Sequence, residues 1–153
     1  MRFLFLDRIL EVERGKRLLA TKTASIMDEY FTMHYARQPL MPAALVIECL
    51  AQAGGWLNII SRDFRVRTVL GLLEEAQIRR PVRAGDLLIV EAQMMYMHVD
   101  GATLRGEVRV DSEVVATVGR LVFANETVQD VAFAERQREH FHYVAGGYRL
   151  SQD

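Results

Sequence analysis

Residues 42–60 read PAALVIECLAQAGGWLNII, and this stretch decides the fold. Proline suits the first position of a helix, and the alanine, leucine and isoleucine that follow extend it. Residues 43–51 are apolar on nearly every face, which is typical of a buried helix. Gly54 and Gly55 interrupt the pattern, and we attribute them to close packing against other backbone. The stretch therefore predicts one long helix inside the protein.

The sequence before this helix predicts a β-hairpin followed by an ordered loop. Residues 8–13 and 17–24 either alternate between apolar and polar residues or form short apolar runs. Gly15 between them supplies the positive φ that a tight turn needs. Residues 28–42 are rich in polar groups, aromatics and prolines, and they predict a loop with one helical turn. The helix is therefore entered from a structured segment.

The sequence after the helix predicts an antiparallel meander. A loop near 61–67 precedes four strand-like segments, at 67–80, 86–98, 102–111 and 113–125. Asp100-Gly101 between two of them is a strong hairpin signal. The simplest packing wraps this sheet around the helix, in an α+β architecture. Residues 1–126 then form the domain, and 127–153 form a C-terminal extension with a helix at 128–143 that is not a separate domain.

Length, charge and cysteine content limit the function classes. A chain of 153 residues suits one domain, and a net charge of −1 argues against a nucleic-acid binder. The single cysteine leaves no internal disulfide and fits a reducing compartment. The N-terminal apolar run is too short for a signal peptide, and no stretch suggests a membrane span. We expect a cytoplasmic protein with no membrane partner.

Glu48 is the residue that most needs an explanation, because its neighbours on the predicted helix are apolar. Burying an unpaired carboxylate costs several kcal/mol, so a partner or a function must justify it. A carboxyl group in apolar surroundings holds its proton more tightly, which suits a general acid. Gln52 lies four residues on and can orient it. A structural hydrogen bond or a solvent-facing rim is the competing interpretation.

His34 precedes the helix in an aromatic segment, and imidazole is the natural general base near neutral pH. A loop histidine with satisfied hydrogen bonds is the simpler interpretation. The helix start offers unpaired N–H groups at Ala43 and Ala44, which can polarise a carbonyl oxygen. A base, an acid and a carbonyl-binding helix start are the parts needed to remove an α-proton from a thioester and expel a β-hydroxyl.

Residues 34–53, HYARQPLMPAALVIECLAQA, resemble the signature of the 3-hydroxyacyl-[acyl-carrier-protein] dehydratases of fatty-acid synthesis. That signature runs Gly-His-Phe-Pro-Gly-x-Pro-x-Met-Pro-Gly-Val-Leu-x-x-Glu-x-Leu-Ala-Gln, and the spacing of fourteen from His34 to Glu48 matches it. Residues 80–86, RPVRAGD, are similar to the family's Arg-Pro-Val-x-Pro-Gly-Asp turn, and residues 5–16 resemble its first hairpin.

This resemblance implies a hot-dog fold, a sheet wrapped around one long helix. It implies homodimers with two interface active sites, His from one subunit and Glu from the other, and in some members a hexamer built as a trimer of dimers. His34 would remove the α-proton of a (3R)-hydroxyacyl thioester, and Glu48 would assist loss of water. Ala43, Ala44, Gln52 and Tyr35 would bind a substrate carried by acyl carrier protein or coenzyme A, with no metal or other cofactor.

The chain departs from the family pattern at Met33, where glycine is usual, and at Ala43, where the helix-start glycine is usual. These changes keep open the alternative of a non-catalytic acyl-binding or assembly subunit. A thioesterase on the same hot-dog fold is a second alternative. Cys49 as a nucleophile and His140 with His142 as metal ligands are weaker interpretations, set aside in favour of packing and a solvated face. Arg79, Arg80 and Arg83 form a basic cluster that either is a solvated edge or docks an acidic carrier.

Overall fold

The structure is a computed structural model that describes residues 4–33, 38–146 and 150. Its helices are α1 (Glu29–Met33), α2 (Ala43–Ile60) and α3 (Val131–Val144). Its strands are β1 (Arg8–Glu13), β2 (Arg17–Thr23), β3 (Leu40–Met41), β4 (Val66–Ile78), β5 (Val82–Arg83), β6 (Leu87–His98), β7 (Gly101–Val110) and β8 (Glu113–Thr127).

Six strands form one antiparallel sheet in the order β1-β2-β6-β7-β8-β4, and β3 pairs with β5 in a separate two-stranded ladder. Helix α2 packs against β2, β4, β6, β7 and β8. Its length and apolar composition alone would also fit a membrane span, but the sheet covers its apolar side as it covers a core helix. The predicted α+β architecture, with a sheet around one long helix, is confirmed.

The predicted hairpins are present. β1 and β2 coincide with the predicted segments to within one residue, and Gly15 in the turn has a φ of 70°. β6 and β7 meet at the Asp100-Gly101 turn, and the guanidinium of Arg62 donates to the backbone oxygens of Val99 (3.4 Å) and Gly101 (2.8 Å). The end of α2 is thereby tied to the tip of this hairpin.

Several details of the helices and strands differ from expectation. Pro42 is the N-cap residue of α2, with an extended ψ of 136°, rather than its first helical residue. The strands β3 and β5 were not predicted, because two residues are too few to show an alternating pattern. Helix α3 begins at Val131 instead of 128, where the side chain of Asp130 accepts a hydrogen bond of 3.0 Å from the N–H of Ala132.

Gly54 and Gly55 pack against a side chain, so our expectation of backbone contact was wrong. A methyl group at Gly54 would lie 3.2 Å from the ring of Phe123 and 3.6 Å from Leu104. At Gly55 the nearest atoms would be the ring of Phe123 and the methyl of Thr68. The two glycines make room for one large aromatic side chain from β8, which lets the sheet lie close to α2.

Strand β4 is an edge of the six-stranded sheet, and part of its surface is apolar. It is thirteen residues long and pairs only with β8 among the described strands. Val69 is 66% exposed and Leu72 is 43% exposed, and Ile78 is exposed as well. A long edge strand with exposed apolar side chains is a template for pairing with another chain.

Helix α3 lies against the end of α2 and the beginning of β4. Phe141 is fully buried, with ring centroids 5.6 Å from Trp56 and 5.7 Å from Phe64. The side chain of Gln137 donates a 2.7 Å hydrogen bond to the backbone oxygen of Val66. Residues after the sheet therefore contribute to the core.

Candidate active site

Glu48 is held by Gln52 one turn later on α2. The Nε2 of Gln52 donates to Oε1 of Glu48 over 2.8 Å, and Oε1 of Gln52 accepts from the N–H of Phe5 over 2.9 Å. Because a backbone N–H can only donate, this second contact fixes which end of the Gln52 amide faces Glu48. These two hydrogen bonds are the geometry that Gln52 needs to orient Glu48, the role predicted for it.

Glu48 is half-buried in the protomer, between the two alternatives that the sequence left open, a buried carboxylate and a solvent-facing rim. Its neighbours Val46, Cys49 and Leu50 are buried. Glu48 lies about 200° around the helix from Leu50, which points at the sheet. The carboxylate therefore projects from the side of α2 that the sheet does not cover.

The start of α2 presents two free backbone donors close to this face. Pro42 makes no side-chain cap, and its carbonyl accepts from Leu45 (2.9 Å) and Val46 (3.3 Å). Ala43 and Ala44 are exposed, and no acceptor in the described chain bonds to their N–H groups. The positive end of the helix dipole adds to their attraction for an oxygen atom.

Two of the predicted site residues, His34 and Tyr35, lie outside the described residues. Helix α1 ends at Met33, immediately before them, and the chain is described again from Gln38. β3 then pairs with β5, with Leu40 opposite Arg83 and Met41 opposite Val82. The segment that carries His34 is thus bounded on both sides by ordered elements.

Cys49 faces the core, next to Glu48 in sequence. Its thiol donates to the backbone oxygen of Leu45 over 3.2 Å, and burial raises its pKa to about 12. A thiol that keeps its proton is a poor nucleophile. The buried, hydrogen-bonded thiol agrees with the interpretation of Cys49 as a packing residue.

The three arginines of the predicted basic cluster have different surroundings. Arg80 forms ion pairs with Asp86 (3.2 Å) and Glu113 (3.0 Å), so it braces the turn between β5 and β6. Arg79 and Arg83 are exposed. Only these two present guanidinium groups that a charged partner can reach without breaking those ion pairs.

A polar depression lies on the outer face of the sheet, opposite α2. Along β7, Leu104 and Val108 are buried toward the helix, so Arg105 and Arg109 point the other way and line the depression. Glu48 is not part of it. Across residues 4–33, 38–146 and 150, no three His, Cys, Asp or Glu side chains are placed to hold a metal ion. His140 instead packs its ring edge-on against Trp56.

A charged cluster that we did not predict lies beneath the turn before α1. Lys22 is buried, and its ammonium lies 3.2 Å from Asp7 and 3.6 Å from Asp28. The hydroxyl of Tyr30 donates to Asp28 over 2.6 Å. The strand alternation Leu18, Ala20, Lys22 would have pointed this lysine inward, and that signal was available in the sequence.

Comparison with known proteins identifies the family. Residues 1–119 match the model of the FabA-like domain. The 3-hydroxyacyl-[acyl-carrier-protein] dehydratase FabZ of Hydrogenobaculum sp. (strain Y04AAS1) is 35% identical over 126 residues, covering 80% of this chain and 85% of that protein. The protein of the same name from Acidovorax sp. (strain JS42) is 35% identical over 127 residues, covering 76% of this chain and 87% of the other.

Solved structures agree on the fold. A chain of the dehydratase heterocomplex ApeI:P from Xenorhabdus doucetiae superposes with a TM-score of 0.66 at 16% identity, covering 89% of this chain and 90% of the other. A Streptococcus mutans UA159 protein bound to acetyl coenzyme A gives a TM-score of 0.64 at 13% identity, covering 80% and 90%. The fold is the hot-dog fold, as predicted, and the chain belongs to the FabA-like family, together with the 3-hydroxyacyl-[acyl-carrier-protein] dehydratases.

Proposed function

We propose that this protein dehydrates a (3R)-hydroxyacyl thioester to the trans-2-enoyl thioester in fatty-acid or related acyl-chain synthesis. The acyl group would be held on the phosphopantetheine arm of acyl carrier protein or on coenzyme A. The observation that carries the proposal is the Glu48–Gln52 pair, on the uncovered side of a helix whose first N–H groups are free. Relatives named as 3-hydroxyacyl-[acyl-carrier-protein] dehydratases support the choice of reaction.

In the proposed reaction, His34 and Glu48 divide the proton transfers. His34 takes the proton from the α-carbon, and the electron pair of that C–H bond forms the new double bond as the bond from the β-carbon to its hydroxyl breaks. Glu48, as the carboxylic acid, gives its proton to the departing hydroxyl, which leaves as water. The N–H groups of Ala43 and Ala44 stabilise the charge on the thioester oxygen. Gln52 holds Glu48 in place, and Tyr35 contributes to the substrate site beside His34.

We further propose that the active protein is a homodimer joined edge to edge through β4. The exposed Val69 and Leu72 on this unpaired edge would be covered by the same strand of a second copy. Each active site would then combine His34 of one protomer with Glu48 of its partner. A hexamer built from three such dimers is compatible with this arrangement.

We also propose a docking surface for the carrier, a cellular location and a folding role for the C-terminal extension. Arg83, exposed in the β3–β5 ladder, and Arg79, exposed directly after β4, would attract an acidic carrier protein. The protein would work in the cytoplasm, without nucleic acid, membrane or metal. The residues after 126 would belong to the same folding unit as the sheet, because Phe141 completes its core.

A single assay tests the reaction. The purified protein is incubated with a (3R)-hydroxyacyl thioester while enoyl absorbance and free thiol are both recorded. We expect enoyl thioester to form, and both His34→Ala and Glu48→Gln to abolish its formation while circular dichroism stays unchanged. Release of free thiol would instead indicate a thioesterase, and binding without either product would indicate a non-catalytic acyl-binding subunit.

A further inference from the structure

Lys22, at 7% exposure, is the one charged residue that is buried among residues 4–33, 38–146 and 150, and it lies between two carboxylates. Asp7 comes from the segment before β1, and Asp28 comes from the turn before α1. The ammonium donates a 3.2 Å hydrogen bond to Asp7 and forms a 3.6 Å ion pair with Asp28. One side chain of β2 therefore joins two segments that are distant in sequence.

Asp28 organises the turn that enters α1. Its carboxylate accepts hydrogen bonds from the N–H of Ser25 (3.1 Å) and from the hydroxyl of Tyr30 (2.6 Å), and its backbone oxygen accepts from Phe31 (3.0 Å). Burial, together with the bond to Asp28, raises the pKa of the Tyr30 hydroxyl. The tyrosine thus remains a proton donor to Asp28 throughout the range in which the protein would work.

Asp7 connects the same cluster to the helix that carries Glu48. Its Oδ2 accepts from the N–H of Thr23 over 2.6 Å. Two residues earlier, the N–H of Phe5 donates to the Gln52 side chain that holds Glu48. The short segment 5–7 therefore contacts both the Glu48 support and the Lys22 cluster.

A buried group of charges adds little to stability by itself, because desolvation offsets much of the attraction. Its best-attested use is to select one conformation among several. Here the selected conformation is that of the turn and of α1, whose last residue directly precedes His34. The chain has no other described element between this cluster and the proposed base.

We propose that Lys22, Asp28 and Tyr30 are positioning residues that fix α1, the helix that directly precedes His34 in the sequence. The inference rests on the proposed function, in which His34 is the base. None of the three touches the substrate in this scheme. A misplacement of about 1 Å at a reacting group lowers the rate by up to about 100-fold, so loosening the cluster lowers turnover more than substrate binding.

The test uses Tyr30→Phe, which removes one hydroxyl, and Asp28→Asn, which removes one charge. The matched control is Tyr96→Phe, which removes the same atom from an exposed tyrosine on β6. We expect both test variants to lower kcat about tenfold with KM within about twofold of wild type, while the control keeps both values. Wild-type kcat in folded Tyr30→Phe would overturn the proposal.

A second readout does not depend on turnover. The four histidines are labelled with ¹⁵N, and the His34 imidazole signals are assigned with His34→Gln. We expect Tyr30→Phe to shift or broaden the His34 signals and to leave those of His98, His140 and His142 in place. Unchanged His34 signals would refute the positioning role, whether or not the wild-type protein dehydrates a thioester. If Tyr30→Phe shifts the His34 signals but the wild-type protein has no dehydratase activity, only the proposed function is refuted.

Discussion

The side-chain amide of Gln52 donates a hydrogen bond to Glu48, 2.8 Å away and one turn earlier on α2. The same amide is fixed from its other end by the N–H of Phe5, so Gln52 has no freedom to turn its oxygen toward the carboxylate. Glu48 is therefore held by a donor that is itself held by backbone. This arrangement suits a group that must deliver a proton to one place.

Removing the Gln52 amide should impair the reaction without unfolding the protein. We expect Gln52→Ala to lower kcat/KM for a 3-hydroxyacyl thioester about 10- to 100-fold, because Glu48 loses its orienting donor. Gln93→Ala, on the outer face of the sheet, is the control and should keep wild-type kinetics. Equal kinetics for the two variants would show that Glu48 needs no help from Gln52.

Mixing two inactive variants tests whether each active site is shared between protomers. His34→Ala and Glu48→Gln are unfolded together, mixed in equal amounts and refolded. In a shared-site dimer, half of the dimers are hybrids and each hybrid has one intact site, so we expect about a quarter of wild-type activity.

If both catalytic groups came from the same protomer, the mixture would stay inactive. Leu72→Lys adds an independent check, because a charge on the exposed edge of β4 should prevent strand pairing. We expect this variant to sediment as a monomer and to lack activity. A variant that stays dimeric would contradict pairing through β4, and an active monomer would exclude the shared active site.

The approach of β7 to α2 leaves no room for a side chain at Gly106. A methyl group there would lie 2.8 Å from Leu50 and 2.9 Å from the backbone oxygen of Glu91. We expect Gly106→Ala to lower the free energy of unfolding by about 1–3 kcal/mol in urea denaturation. Gly71→Ala, whose new methyl would meet only a backbone oxygen 3.8 Å away, should change it by less than about 0.5 kcal/mol.

Cys49 should make stability depend on alkaline pH. Burial raises the pKa of its thiol from 9.0 to about 12, so the folded protein keeps a proton that the unfolded chain releases. The stability that the folded protein gains from keeping this proton is complete below about pH 9 and is lost as pH rises toward about 12. We expect the free energy of unfolding to fall more steeply above about pH 9 in wild type than in Cys49→Ala, by up to about 1.4 kcal/mol per pH unit. Parallel curves for the two proteins would contradict this.

The extension after β8 should be required for stability. We expect Phe141→Ala to lower the free energy of unfolding by about 3–5 kcal/mol, because a fully buried ring between Trp56 and Phe64 is removed. Phe133→Ala, on the same helix and only partly buried, should cost clearly less. Similar costs would indicate that α3 is held by its surface contacts.

The sequence predicted the elements whose signals are local. The apolar run of α2 and the turn residues Gly15 and Gly101 predict the helix and two hairpins without knowledge of any contact that is distant in sequence. β3 and β5 were missed because two-residue strands exist only through pairing with each other. The half-burial of Glu48 depends on which side of α2 the sheet leaves open, and no local pattern encodes that.

The candidate site was predicted in the same uneven way. The Glu48–Gln52 contact follows from helical spacing, so it was foreseen. The Lys22 cluster draws its members from three separate segments, and sequence spacing alone gave no reason to join them. Only the inward position of Lys22 on β2 indicated a buried charge, and that position does not identify the carboxylates that pair with it.

The long exposed edge of β4 also bears on how the protein is made. A newly folded protomer exposes thirteen residues of strand edge with apolar side chains until something pairs with it. At the high chain concentrations of overexpression, unrelated or partly folded chains compete for that edge, so slow synthesis at low temperature should yield more soluble protein than rapid synthesis.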